Sequence, residues 1–255
     1  MGMLKIGNRQ IYLGTIGWTY QDWDGSFYPD DLDSKKYLSY YSQFFDSVEV
    51  EETFFGCPFP EKLLQWYQQT PAHFLFSLKL SRQITHQRRF KDCQSLFLKF
   101  CETALTLKEK LGVVLIQLPN NFQQKHIADL LVLLDQNKPT SFKIAIEFSN
   151  RLWKKTEAPA FLKSKNISVV QTDQSPVEDP GSDFLYFRWK GTQEYKHFRV
   201  EQRNCQEDLK IWKLKLNQFS GRIRTIYGYF SNHYSGYAPN NCFSFAHLLS
   251  SEKNN

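Results

Sequence analysis

A chain of 255 residues with 41% hydrophobic content can bury a large core, as one α/β barrel of about 250 residues or two small domains, and no composition break marks a linker. Its 32 Lys and Arg against 26 Asp and Glu give a formal charge of +6, mildly basic and well short of a dedicated nucleic-acid arm; an anionic ligand is permitted without being required. Five cysteines (Cys57, Cys93, Cys101, Cys205, Cys242), odd in number and without a CxxC, argue against a disulfide framework or a zinc knuckle.

The start, "MGMLKIGNRQIYLG", lacks the apolar core of a signal peptide, and no apolar run approaches the roughly 20 residues of a membrane span, so a cytoplasmic protein with no membrane association is expected. From there strand-like and helix-like stretches alternate. Strands are predicted at "IYLGTIGW" (11–18), "DSVEVEET" (46–53), "FLFSLKLS" (74–81), "GVVLIQLP" (112–119), "FKIAIEFS" (142–149), "ISVVQTD" (167–173), "FLYFRWKG" (184–191) and "TIYGYFSN" (225–232). Helical spacing of apolar residues marks "SKKYLSYYSQFF" (34–45), "EKLLQWYQQT" (61–70), "CQSLFLKFCETALTLKEKLG" (93–112) and "CQEDLKIWKLKLNQFSG" (205–221). The alternation argues for parallel β/α architecture, and eight strands for a closed TIM-type (β/α)8 barrel as a single domain over residues 1–255. "QSPVEDPGSD" (174–183) is too short for a crossover helix and reads as an irregular loop between strands 6 and 7.

Most of these strands stay apolar until they close on a polar residue: Glu49 and Glu51, Lys79, Gln117, Glu147, Asp173, Arg188 and Asn232. In a parallel barrel all those ends meet at one rim, where active sites are built. Strand side chains alternate between faces, so Glu49 and Glu51 lie opposite Val48 and Val50, Lys79 opposite Leu78 and Leu80, and Glu147 opposite Ile144, Ile146 and Phe148, each charge pointing inward.

Seven segments, "GTIGWTYQDWDGSFYP" (14–29), "FFDSVEVEETFFGCP" (44–58), "FSLKLSRQITH" (76–86), "VVLIQLPNNF" (113–122), "AIEFSNRLW" (145–153), "LYFRWKG" (185–191) and "YFSNHYSGYAPNN" (229–241), resemble in order and spacing the YecE-like family, a domain of unknown function (DUF 72). The resemblance covers almost the whole chain and implies a TIM-type barrel; it brings no established reaction. This copy departs from the family pattern at Glu51, where Asn is usual, at Ser149 and Asn150, where Arg and His are usual, and at Lys190, where His is usual.

Clustered carboxylates raise one another's pKa and make a general acid near neutrality, or they take a divalent metal, or they are paired by cations. The leading expectation is an enzyme, a hydrolase, lyase or isomerase, using acid/base chemistry on a small polar anionic or sugar-like ligand. Glu49 is the first choice of acid or base, with Glu147 and Asp173 as partners and His233 moving protons. Lys79 and Arg188 are expected to hold the anion, His86, Asn232 and Tyr234 to orient the ligand, and Trp18 and Tyr20 to form an aromatic wall. With six histidines and no HxH or HExxH, a multinuclear zinc site is disfavoured; a single Mg²⁺ or Mn²⁺ on carboxylate oxygens stays open. The absence of GxGxxG and of a P-loop disfavours a nucleotide cofactor, and no GxSxG nucleophile signature is present. Two alternatives remain: a barrel that binds or cleaves nucleic acid through the basic segments 82–91 and 213–224, and a non-catalytic barrel whose rim charges are only a structural network.

Overall fold

The computed structural model describes residues 4–192, 194–219 and 221–251. The chain is an α/β fold built on two five-stranded sheets. One sheet runs in the order β1 (Leu4–Ile6), β2 (Arg9–Thr15), β10 (Thr225–Phe230), β9 (Phe184–Trp189), β8 (Gln171–Thr172), and the other in the order β3 (Ser47–Val50), β4 (Leu75–Lys79), β5 (Leu111–Gln117), β6 (Lys143–Glu147), β7 (Ser168–Val169). Every pairing of the named strands is parallel except the β1–β2 hairpin, which turns through Gly7 and Asn8; β1 was not among the expected strands.

The two sheets approach each other at two seams. Only Val170 separates β7 from β8, and its N–H donates to Ile146 (2.9 Å), so one extended segment leaves the second sheet and enters the first. Across the other seam, Ile16 and Glu49 form an isolated parallel bridge, with the Gly17 N–H donating to the Glu49 carbonyl at 2.8 Å. Gly14 lets β2 come this close to β3: a Cβ there would lie 1.8 Å from the Ser47 carbonyl oxygen.

Alternate residues of the strands serve two cores. Val48, Val50, Leu78, Ile144, Ile146, Leu185 and Phe187 pack under the helices with residues such as Trp66, Phe97, Leu130, Trp212 and Phe245. A second cluster, composed of Ile16, Val113, Leu115, Ala145, Val170, Phe184, Tyr186, Tyr227 and Tyr229, comes from strands and strand ends alone. Residues of opposite parity therefore face away from the helices, the arrangement period-2 alternation predicts.

The helices are α1 (Tyr37–Tyr41), α2 (Glu52–Phe55), α3 (Pro60–Gln69), α4 (Gln94–Ala104), α5 (Ile127–Asn137), α6 (Ala158–Ser164), α7 (Gln206–Asn217) and α8 (Ala238–Ser250). The helix expected over 93–112 ends at Ala104 and continues as a 3₁₀ segment to Lys110, with Lys108 at φ +50°. Lys110 then turns inward and donates to the carbonyls of Tyr67 and Thr70 at 2.6 and 2.7 Å, capping α3. The expected strand 46–53 stops at Val50 and bends into α2, where the Thr53 hydroxyl donates to the Lys79 carbonyl (2.8 Å). Residues 173–183 contain no helix, as expected of the loop before β9. No helix among the described residues is long and apolar enough to cross a membrane.

Candidate functional site

A cavity of about 890 Å³ opens at the C-terminal ends of the strands, lined by three groups of contacting side chains. The first group stands on α2, the end of β4 and the segment after it. Lys79 lies under this wall with its Nζ 3.2 Å from Glu51 and 4.2 Å from the centre of the Phe54 ring, and Phe54 meets His86 edge-on at 5.0 Å. The His86 Nδ1 shares a hydrogen bond with the Thr85 hydroxyl (2.8 Å). Burial, with Lys79 and Arg82 nearby, pushes the His86 pKa below its usual value, which keeps the imidazole neutral at pH 7.

The second group is centred on Arg188 of β9, 3% exposed. Its guanidinium forks between the carboxylates of Glu147 and Glu49, the Glu49 contact being 2.8 Å. Glu147 also receives Lys190 Nζ at 2.9 Å and Gln117 Nε2 at 3.0 Å. Burial alone would raise the Glu147 pKa; Arg188 and Lys190 outweigh it and hold the group down at about 2. Glu49 is fully buried beneath this layer and takes a hydrogen bond from the Tyr186 hydroxyl at 2.8 Å. For Glu49 burial wins over Arg188, and its pKa is raised. The polar column continues downward, where the Tyr229 hydroxyl bonds those of Ser47 (2.6 Å) and Ser77 (2.8 Å).

The third group contains Tyr20, Phe198, Asn232 and His233. Phe198 meets both Tyr20 (6.0 Å) and His233 (4.9 Å) edge-on, and its N–H donates to Asp22 at 2.7 Å, tying the segment after Gly191 to the loop after β2. Asn232 begins the 3₁₀ turn before α8, and its Oδ1 accepts from Trp23 Nε1 (3.2 Å) and the Ala238 N–H (3.0 Å).

Of the residues singled out in the sequence, Tyr20, Lys79, His86, Glu147, Arg188, Asn232 and His233 line this one cavity, and Glu49 supports it from below. Asp173 does not join them: both its oxygens accept backbone N–H groups, from Lys190 at 2.7 Å and Gly191 at 2.9 Å, shaping the turn after β9. Trp18 is not part of the wall either, since it is buried edge-on against Trp66 at 5.3 Å. Tyr234 packs on Phe230 and under the Arg203 guanidinium, outside the lining. Among the described residues no group of three or more His, Cys, Asp and Glu is placed to hold a metal ion, and the Glu49 and Glu147 carboxylates each face a cation that a Mg²⁺ or Mn²⁺ would have to displace. Arg82, from the basic segment 82–91, also lines the cavity; sequence reasoning passed over Lys190 and Phe198 as lining residues. Lys190 was within reach, being two residues beyond Arg188 and of the same parity.

The profile of a family described as protein of unknown function DUF72 matches residues 12–255. The chain belongs to the DUF72 family. It is 25% identical to the UPF0759 protein YunF of Bacillus subtilis over 95% of both chains, and 28% identical to the UPF0759 protein YecE of Escherichia coli K12 over 66% of this chain and 60% of that protein. A DUF72 protein of Thermotoga maritima, TM1631, superposes with a TM-score of 0.77 at 27% identity, covering 94% of this chain and 98% of its own. A second solved DUF72 protein, EF0366 of Enterococcus faecalis, gives 0.70 at 21% identity over 94% of this chain and 97% of its own, a likeness of fold. Glu51 and Lys190, two positions expected from the sequence to depart from the family pattern, make ion pairs in the cavity, with Lys79 and Glu147 respectively.

Gly191 fixes how the second and third groups meet. It has φ +69°, and a Cβ would sit 1.8 Å from the His233 carbonyl oxygen. Gly191→Ala is therefore expected to cost about 2 kcal/mol through the clash and the left-handed backbone, read as a lower urea midpoint with unchanged slope. An unchanged midpoint would mean that the turn has room to relax.

Proposed function

We propose that the two sheets are halves of one closed (β/α)8 barrel, and that the cavity at its mouth is the active site of an enzyme acting on a small polar, anionic ligand by acid/base chemistry. In support of closure, the segment 168–172 belongs to both sheets in turn, and the Gly17–Glu49 hydrogen bond spans the other seam. The charge arrangement carries the ligand reading. Lys79, Arg82, Arg188 and Lys190 line the cavity against Glu51 and Glu147, with Glu49 beneath. The carboxylates are all engaged with Lys79, Arg188 or Lys190, whereas the Arg82 guanidinium makes no ion pair among the described residues. A positive surplus in a partly enclosed cavity attracts an anion.

Within this reading the buried carboxylates orient cations. Glu147, ionised down to about pH 2, keeps Arg188 and Lys190 aimed into the cavity, and Glu49 anchors Arg188 from below. The group suited to accept a proton at pH 7 is His86, held neutral beside the cations that would bind the substrate.

The test is binding of inorganic phosphate and citrate at low ionic strength, followed by thermal shift and calorimetry. Wild type is expected to bind, and Arg82→Gln to bind about tenfold more weakly, since a charge-assisted hydrogen bond is lost. No binding by wild type would leave the rim charges as a structural network. Tight binding of an oligonucleotide that collapses as salt rises would favour the nucleic-acid alternative.

A further inference from the structure

We propose that Asn232 and His233 form a hydroxyl-binding subsite, so that the ligand of this cavity is a polyhydroxylated anion, a sugar phosphate or a sugar acid. The proposal rests on the reading that the cavity takes an anion, and adds the other end of the molecule.

Asn232 is 2% exposed and lines the cavity. Its amide cannot turn over without cost, because Oδ1 already accepts from Trp23 Nε1 and from the Ala238 N–H. Nδ2 must then be the free end, and it has no partner. The next residue repeats the pattern: the His233 Nδ1 is buried without a partner, on a ring that also lines the cavity. Unmet polar atoms on two successive residues that both line the cavity are unusual in a folded protein, where buried donors and acceptors are almost always satisfied. Ligand hydroxyls that reach these atoms would satisfy each of them, one accepting from the Asn232 amide and one donating to or accepting from the imidazole, whichever tautomer is present.

The surroundings argue for a sugar. The side chains of this group, Tyr20, Phe198, Asn232 and His233, carry no fixed charge, which suits an uncharged oxygen at this end. Tyr20 and Phe198 offer ring surface for the C–H face of a sugar. The anionic group would lie toward Lys79, Arg82 and Lys190.

The probes are glucose 6-phosphate, glucuronate and inorganic phosphate, compared by titration calorimetry on the wild-type chain and on His233→Phe. That variant keeps a ring against Phe198 and removes nitrogens that bond no protein group among the described residues, so the fold should survive; its melting temperature checks this. At least one sugar anion is expected to bind wild type tenfold or more tighter than phosphate, an advantage of about 1.4 kcal/mol that His233→Phe loses while its phosphate affinity stays the same. The proposal is overturned if neither sugar anion exceeds phosphate, or if the variant loses phosphate and sugar anion equally. Failure of all three probes to bind wild type would instead remove the anion reading, and this one with it. Should the variant fold poorly, the three-probe comparison on wild type decides alone.

Discussion

Arg188→Met is expected to destabilise the protein by about 3–5 kcal/mol, lowering the melting temperature by roughly 6–20 °C. The reason lies in the asymmetry of buried ion pairs: forming one gains little, but removing a single partner strands the other charge out of water. Arg188 is the shared partner of two carboxylates, each largely or wholly buried. After its removal Glu147 keeps Lys190 and Gln117, whereas Glu49 keeps the Tyr186 hydroxyl and, among the described residues, no ion pair. Most of the loss should therefore be felt at Glu49, whose pKa burial already raises. Neutralising that carboxylate in the double variant Glu49→Gln, Arg188→Met should recover part of the stability, giving a coupling of opposite sign to the single losses. A loss below about 1 kcal/mol for Arg188→Met would show that water reaches the column, and that the charges under the cavity are not held as described.

The parity of the site was legible in the sequence because the side-chain period of a strand is 2 wherever the strand runs. Val48 and Val50 against Glu49, or Ile144 and Ile146 against Glu147, can be sorted to two faces with no coordinates. Depth was not legible. Glu49 and Glu147 read alike, yet β3 sets Glu49 beneath the cavity and β6 sets Glu147 in its wall, a consequence of stagger between strands that no single strand encodes. Asp173 also read alike, but its fate is set by the turn after β9, whose amides reach its carboxylate first. Beyond a strand end, direction depends on loop geometry, so Trp18 went to the helix-side core while Tyr20, two residues on, reached the cavity. Phe198 arrives from a long segment without periodicity, its N–H bonded to the Asp22 carboxylate, and gave no signal. The β1–β2 hairpin, by contrast, left one that was overlooked: Gly7, at φ +55°, is followed by Asn8 between Leu4-Lys5-Ile6 and Arg9-Gln10-Ile11, in keeping with a two-residue hairpin turn.

Acid should expose the same network in a way that assigns its two carboxylates separately. The folded-state pKa of Glu147 is lowered, from an ordinary 4.5 to about 2, so its contribution to stability is present above pH 4.5 and is lost as the pH falls from there toward 2. A shift of that size is worth about 3 kcal/mol for a group this well buried. Glu49 has the opposite sign: its folded pKa is raised, so on acidification the folded state takes up this proton before the unfolded chain does, and stability rises through that interval. Urea unfolding followed from pH 7 to pH 3 should then show a level or rising limb at first and a steep fall below about 4.5. In Glu147→Gln the difference from wild type should shrink as the pH drops, by about 2 kcal/mol between pH 7 and pH 3, because the variant has already lost what acid would remove. Glu49→Gln should erase the rising limb and leave the fall. If Glu147→Gln instead runs parallel to wild type at every pH, the Arg188 and Lys190 contacts do not lower the Glu147 pKa, and the carboxylate is not the anchor for the cations around it that the geometry describes.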